Sequence, residues 1–241
     1  MRARFEKVPS VADRSFYLRE QRLARFDAPW HFHPEIELTL VAEGRGQRFV
    51  GNSIEPFAEG DLVLLGSNLP HFWHSEGRPA HAGRAHSVVV QFRPDFLGGE
   101  LWTRPEFAAI RRLLQRAQRG LHFIGLPARA AAQRLRALGV QRGCQAVLEL
   151  LAILDLLAAA RRVRPLASEA YEPSLDRHAE KRLARVYGFL MEHYLEPLTL
   201  AEIARVAAMT PAGFSRYFKR VTGRNVSDFL NELRVNHAAQ L

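Results

Sequence analysis

The segment His31-Phe32-His33-Pro34-Glu35-Ile36-Glu37 concentrates the ligating chemistry of the chain. Read as an extended strand, residues two apart share a face, so His31, His33 and Glu37 project together while Phe32, Ile36, Leu38 and Leu40 do not share that side. His71 supplies a fourth group of the same kind. Imidazoles and a carboxylate without a thiol suit Zn, Mn, Fe or Ni, and residue types alone do not choose among them. The same side chains could instead line a pocket and hydrogen-bond a small effector or one another. Trp30, Phe32, Phe72 and Trp73 flank these positions and are expected either in the pocket wall or in plain core. His74, His81 and His86 read as ordinary surface or loop histidines. Gly44, Gly46 and Gly51 lack the spacing and the strand-to-helix context of a phosphate loop, and read as hairpin turns.

Strands must position that set. Short apolar stretches over 36–41, 48–50, 62–65 and 87–92 are punctuated by turn residues at Gly51-Asn52, Glu59-Gly60-Asp61 and Asn68-Leu69-Pro70. This pattern from about Arg25 to Arg93 predicts an antiparallel barrel or sandwich. Beyond Phe96 the period changes to three and four, with Pro105 opening a helix through Phe107, Ile110, Leu113, Leu114 and Ala117. Further helices are expected over 127–138 and 145–160. The last carries a broad stripe of Val147, Leu150, Leu151, Leu154, Leu157 and Ala158, wide enough to pack on the barrel or to form a homodimer. Prolines 165 and 173 among polar residues predict a linker over 163–176. The expected organisation is therefore a barrel over 1–95, a packing or dimerisation segment over 96–162, the linker, and a helical unit over 177–241. The fold class is α+β.

Composition narrows the function classes. At 241 residues with 47% hydrophobic and 24% charged residues, the chain is an ordinary globular mixture rather than a disordered tail. Its longest nearly apolar run, 147–160, is broken by Glu149 and Asp155 and falls short of the roughly 20 residues a bilayer needs. Residues 1–10 carry no apolar block, so a cytoplasmic location is expected. The single Cys144 excludes an internal disulfide and a multi-cysteine zinc site. The net charge of +9 is concentrated in the middle, with 12 basic against 4 acidic residues over 96–168, and again near the end from Arg205 onward. A basic cluster on a helical unit fits either nucleic acid or a solvated face.

The C-terminal pattern is more specific. Thr199-Leu200-Ala201-Glu202 is a capping box, followed by Ile203, Ala204 and Ala207 as a small buried face. After a turn at Ala208-Met209, Thr210-Pro211 starts a further helix that runs to Gly223. Two short helices joined by a tight turn make a helix-turn-helix. Phe214, Tyr217, Phe218 and Val221 lie on one face of the second helix, leaving Ala212, Ser215, Arg216 and Lys219 on the other. Arg216 could bond guanine bidentately and Ser215 a base or phosphate, while Lys219 and Arg220 suit phosphates.

Two family resemblances follow from these residues. His31, His33, Glu37 and Gly44 have the spacing of the first cupin motif, and Gly60, Asp61 and His71 resemble the second, although Arg25, Gly66, Asn68 and Ser75 depart from its scaffold positions. Leu200-Ala201-Glu202-Ile203-Ala204, Met209-Thr210-Pro211, Phe214-Ser215-Arg216-Tyr217-Phe218-Lys219 and Thr222-Gly223 resemble the first helix-turn-helix of AraC-type transcription regulators. Residues 228–238 resemble the start of the helix that follows it. Gly213 departs from a good helix former.

The resemblance implies an N-terminal cupin-like antiparallel barrel that binds a small-molecule effector at His31, His33, Glu37, His71, Trp30 and Trp73. It implies double-stranded DNA as the partner and no catalytic residues; the outer helix face assigns the DNA contacts to Ala212, Ser215, Arg216, Lys219 and Arg220, and the 145–160 stripe is the expected seat of a homodimer. Against that pattern, a second helix-turn-helix is expected and the chain stops before it. The alternative is a metal-dependent cupin enzyme of dioxygenase or isomerase type, with a vestigial helical tail.

Overall fold

A computed structural model describes residues 4–75, 85–169, 171, 182, 185–190, 193–222 and 225–238. Eleven strands are found among them: β1 (Arg4–Phe5), β2 (Phe16–Leu23), β3 (His31–Phe32), β4 (Ile36–Glu43), β5 (Gly46–Val50), β6 (Ser53–Phe57), β7 (Leu62–Leu65), β8 (His71–Ser75), β9 (Ala85–Phe92), β10 (Leu121–Phe123) and β11 (Val163–Pro165). They form two sheets, with orders β1-β3-β8-β5-β6 and β11-β10-β7-β4-β9-β2. All pairs are antiparallel except β1 with β3.

Strands β4, β7 and β9 are buried on both faces because both faces are covered. Leu38 and Leu40 of β4, Leu62 and Leu64 of β7, and Val88, Val90 and Phe92 of β9 point out of the second sheet into one core. That core is shared with α1 (Ala108–Arg116), α2 (Leu126–Ala137) and α3 (Gly143–Ala158). The alternate residues Val41, Val63 and Leu65 turn inward to a lumen cluster with Phe26, Val50, Phe57 and Trp73. On the outer face of the first sheet, Trp30, Phe49, Ile54 and Phe72 form a third cluster with the C-terminal helices. The barrel thus carries helices on both its outer faces.

The 163–176 linker expectation fails over its described part. Val163–Pro165 is a strand that pairs with β10, Leu166 and Ala167 are buried, and Ser168 is bound by Asn52. Residues 172–176 lie outside the described residues. The boundary at 95 also divides elements with a common core, because β10 and β11 complete the second sheet. The three middle helices form where expected. The stripe on α3 is spent inward, with Leu150, Ile153, Leu154 and Leu157 at most 1% exposed.

A buried ionic cluster ties the first sheet to the second. The Arg48 guanidinium, 1% exposed, bonds Asp61 at the start of β7 and Glu55 of β6 at 2.8 Å. Arg164 of β11 clasps Glu55 from the other side at 2.6 Å, and His122 of β10 stands 3.1 Å from Asp61. Gly46 permits the tight β5–β8 approach, since a Cβ there would lie 2.0 Å from the His74 carbonyl oxygen. No helix among the described residues is long and apolar enough to cross a membrane.

The C-terminal unit contains helical residues 185–190, then α4 (Leu200–Val206), α5 (Pro211–Thr222) and α6 (Val226–Ala238). The capping box is present: the Glu202 amide donates to the Thr199 hydroxyl, and the Thr199 amide donates back to the Glu202 carboxylate at 2.8 Å. Ala208, at φ 53°, turns the chain between α4 and α5, with the Met209 amide closing on the Ala204 carbonyl at 3.0 Å. Thr210 caps α5 through the Gly213 amide. Tyr187 is the hub of the core, stacked on Phe229 and edge-on to Phe218 and Trp30.

Candidate functional site

His31, His33, Glu37 and His71 come together, all buried, each offering one ligating atom within 4.8 Å of the others. They do not converge along one strand, as the period-two expectation had it. β3 ends at Phe32 and β4 begins at Ile36 in the opposite sheet, so the bend between them folds His33 into the space between the sheets. His31 and His71 are cross-strand partners on β3 and β8, and Glu37 enters from β4.

Main-chain carbonyls set the histidine rings. The Nδ1 of His31 is 2.8 Å from the Pro29 carbonyl and that of His71 is 2.7 Å from the Leu69 carbonyl. A carbonyl only accepts, so each Nδ1 carries hydrogen, and the Nε2 of a neutral ring presents a lone pair. His71 Nε2 is buried without a hydrogen bond and lies 3.6 Å from Glu37 Oε1. Glu37 accepts from the Thr39 hydroxyl at 2.6 Å and from Gln91 Nε2 at 2.8 Å, and its Oε2 is 3.0 Å from His33 Nε2.

Burial would raise the Glu37 carboxyl, but the neighbouring His71 and the hydrogen bond of His33 outweigh it and hold it well below the carboxylate range. Burial and the neighbouring His31 charge lower His71. For His33, burial is outweighed by the bond and charge of Glu37, which raise it. Rings with fixed Nδ1–H groups, an unbonded inward Nε2 and a carboxylate held by outer hydrogen bonds fit a divalent metal.

A cavity of about 50 Å³ beside this set is walled by His31, Glu37, Thr39, Trp73 and Val89. Trp73 takes the predicted place in the wall. Trp30 does not: it is 3% exposed on the opposite face, edge-on to Phe72 and Tyr187 with ring centroids 5.6 Å apart in each pair. Phe72 turns the same way, because adjacent residues on a strand alternate faces. His74 and His86 are paired with Asp27 and Glu20 away from the set, and His81 lies outside the described residues.

Three contributors went unread in the sequence. Thr39 follows Glu37 at strand period and was legible in principle. Gln91 faces Glu37 only through the β4–β9 register, and Glu6 reaches His31 at 3.1 Å only because β1 lies on β3. The hydrogen bond to His31 lowers Glu6 to about 2.

On α5, Ala212, Arg216, Lys219 and Arg220 are exposed and Ser215 is half-buried, while Phe214, Tyr217 and Phe218 are at most 4% exposed. Arg234, another residue of the basic cluster, instead donates to the carbonyls of Tyr194 and Glu196 at 2.7 and 2.8 Å.

The fold and site define a cupin-like binding barrel with a helical unit on its back. A family model described as the AraC-like ligand binding domain matches residues 15–175, taking in both the barrel and the middle helices. The chain belongs to that family and is an AraC-type transcription regulator. The melibiose operon regulatory protein of Escherichia coli K12 is 22% identical over 250 residues, covering 94% of this chain and 77% of that protein. Among solved structures, the AraC-like transcriptional activator CuxR matches at 12% identity and TM-score 0.39, over 86% of this chain and 68% of its own. ToxT from Vibrio cholerae O395 matches at 9% identity and TM-score 0.43, over 91% and 98%. A cupin 2 conserved barrel domain protein from Salinispora arenicola CNS-205 matches at 20% identity and TM-score 0.30, over 38% and 74%.

Proposed function

We propose that the chain is a cytoplasmic, sequence-specific DNA-binding regulator whose barrel takes a small effector, and that it is a binding protein rather than an enzyme. The observation that carries this reading is the division of α5. Its aromatic face is sealed into the helical core, and its basic face is left to solvent. Arg216 is the residue assigned to base edges and Lys219 and Arg220 to phosphates, with Ser215 and Ala212 beside them.

A route for the effector signal is built into two strands. His31, His71 and Trp73 face the lumen from β3 and β8, while on the other side Trp30, beside His31, packs edge-on against both Phe72 and Tyr187. An effector that binds two arrangements of this sandwich differently shifts the helical unit between them. His31, His33, Glu37 and His71 would hold a divalent ion of the Zn, Mn, Fe or Ni kind, which supplies a Lewis-acidic anchor for an effector oxygen when bound. A homodimer would contact through the outer surface of α3, where Leu148 is exposed, since the inner stripe is used by the barrel.

The test is fluorescence anisotropy of the chain with labelled DNA from upstream of its own gene and with unrelated DNA, at several salt concentrations. Preference for the first, weakening with salt, is expected. Arg216→Ala should cost about 1–3 kcal/mol of that preference. Equal affinity for both DNAs, or an unaffected Arg216→Ala, would sink the DNA-reading assignment.

A further inference from the structure

A second cavity, of about 140 Å³, lies beside the C-terminal end of β9 and is lined by residues 8–11, 14–17, 35 and 91–93. It shares no lining residue with the small cavity beside His31, Glu37 and Trp73. Two of its wall residues each carry a buried oxygen without a hydrogen bond, Glu35 Oε2 and Gln91 Oε1. Gln91 is 1% exposed, and its Nε2 is committed to Glu37 at 2.8 Å, which fixes the other end of the amide as an acceptor. His33 does not answer Glu35. Its Nδ1 is 3.2 Å from the Glu35 main-chain carbonyl and 3.6 Å from Oε2, and the second distance is too long for a hydrogen bond.

The cations in the same wall already have partners. Arg14 donates to the Gln141 carbonyl at 3.0 Å and lies 5.8 Å from the centre of the Phe16 ring, and Arg93 donates to Asp95 at 3.5 Å. The cavity therefore offers acceptors, one of them a carboxylate, beside guanidiniums that are engaged elsewhere. Buried acceptors are costly until a donor meets them, and a charged donor meets a carboxylate best. An ammonium brings three donors and the matching charge, an alcohol brings one donor and no charge, and an acid would face Glu35 as a like charge. The remaining wall is apolar, with Val8 and Val11 half-buried in the loop and Phe16 beneath them. A cavity of about 150 Å³ holds a molecule the size of benzene, which sets the size of the body.

We propose that this cavity binds a small primary amine, its ammonium group between Glu35 Oε2 and Gln91 Oε1 and its apolar body, about six heavy atoms, along Val8, Val11 and Phe16. Because the Gln91 amide also bonds Glu37, one side chain joins the amine to the ligating set. The site is separate from the effector cavity and requires neither a metal nor DNA.

The experiment uses the full chain, stripped of metal by a chelator so that an amine has no ion to coordinate. Benzylamine, benzyl alcohol and benzoate, and butylamine with butanol, are titrated by ligand-observed nuclear magnetic resonance. At least one amine should bind about tenfold or more tightly than its alcohol, the step from a neutral to a charge-assisted bond, and benzoate should bind more weakly than benzyl alcohol. Glu35→Gln, which removes the charge and keeps the shape, should cost the amine that same factor and leave the alcohol unchanged. Val11→Trp, which fills the cavity from the loop, should weaken amine and alcohol alike, with thermal unfolding as the check that each variant folds. Glu6→Gln, which removes the acid beside His31, should change neither. The proposal is overturned if neither amine outbinds its alcohol, if benzoate binds best, or if the amine preference survives Glu35→Gln. It is also overturned if Val11→Trp binds as the wild type does, or if Glu6→Gln removes the preference, which would move the amine to the His31 end of the barrel.

Discussion

Replacing Trp30 by Ala should separate the helical unit from the barrel. The indole is 3% exposed, and its neighbours are Phe72 on the barrel side and Tyr187 on the helical side, each with ring centroids at 5.6 Å. A buried aromatic of this size removes about 150–250 Å² from water, which at about 25 cal/mol/Å² is an upper bound of about 4–6 kcal/mol. Part of that area survives as the alanine methyl, and the cavity left behind adds its own cost, so about 3–5 kcal/mol is expected. The loss should fall on the junction, because the lumen core of Val41, Val63, Leu65 and Trp73 does not include Trp30. Urea unfolding followed by two probes checks this. In Trp30→Ala the remaining tryptophans, Trp73 and Trp102, report the ligand-binding domain, while far-ultraviolet circular dichroism also follows α4, α5 and α6. The wild-type curves should coincide, and the variant's dichroism should begin to fall at lower urea than its fluorescence. Trp30→Phe keeps a ring in place and should move both curves much less. Coincident curves in Trp30→Ala, displaced by under about 1 kcal/mol, a small fraction of the usual large-to-small core cost, would refute the idea that this aromatic joins the two units.

Other outcomes follow from the same structure. Burial would raise Asp61, but the bond from His122 and the charge of Arg48 hold its carboxyl below the usual range. A depressed carboxylate contributes stability that is present above its unfolded value near 3.9 and is lost as pH falls through the folded value. Urea midpoints should therefore drop below about pH 4, the unfolded value, and Asp61→Asn should lower them at pH 6 while flattening the acid slope. The candidate metal set should take up about one equivalent of zinc, the stoichiometry of a single four-ligand site, in a calorimetric titration. Thr39→Val, which removes only the 2.6 Å hydroxyl bond to Glu37, should weaken that uptake about 10–100-fold; absence of uptake by the wild-type chain would show that no metal sits there, and unchanged affinity in the variant that Glu37 does not hold it. Thr199→Ala removes the hydroxyl of the capping box and should cost about 1 kcal/mol by thermal unfolding, with no effect on a barrel ligand.

Much of the helical unit was legible because its determinants are local. A capping box lies within four residues, Thr210-Pro211 opens α5, and the three-and-four spacing of Phe214, Tyr217 and Phe218 separates a buried from an exposed face without reference to any other element. The three middle helices were visible for the same reason. That His31, His33, Glu37 and His71 form one group was also in the sequence, since spacing and residue type marked them before any strand was placed.

Their geometry was decided by the tertiary fold. Treating 31–37 as one strand places its ligands correctly in a group but for the wrong reason, because the bend at 33–35 moves the chain from one sheet to the other and the set closes between the sheets. Strands β2, β6, β10 and β11 carry weak period-two signals, since their pairing partners lie far along the chain or their outer faces are covered by helices. Register, which is non-local, brought Gln91 to Glu37 and Glu6 to His31. Alternation along β3 and β8 was readable, but which side was lumen and which was interface was not. Trp30 and Trp73 are alike as residues, and only the packing of the helical unit against the first sheet sends one to the junction and the other to the pocket.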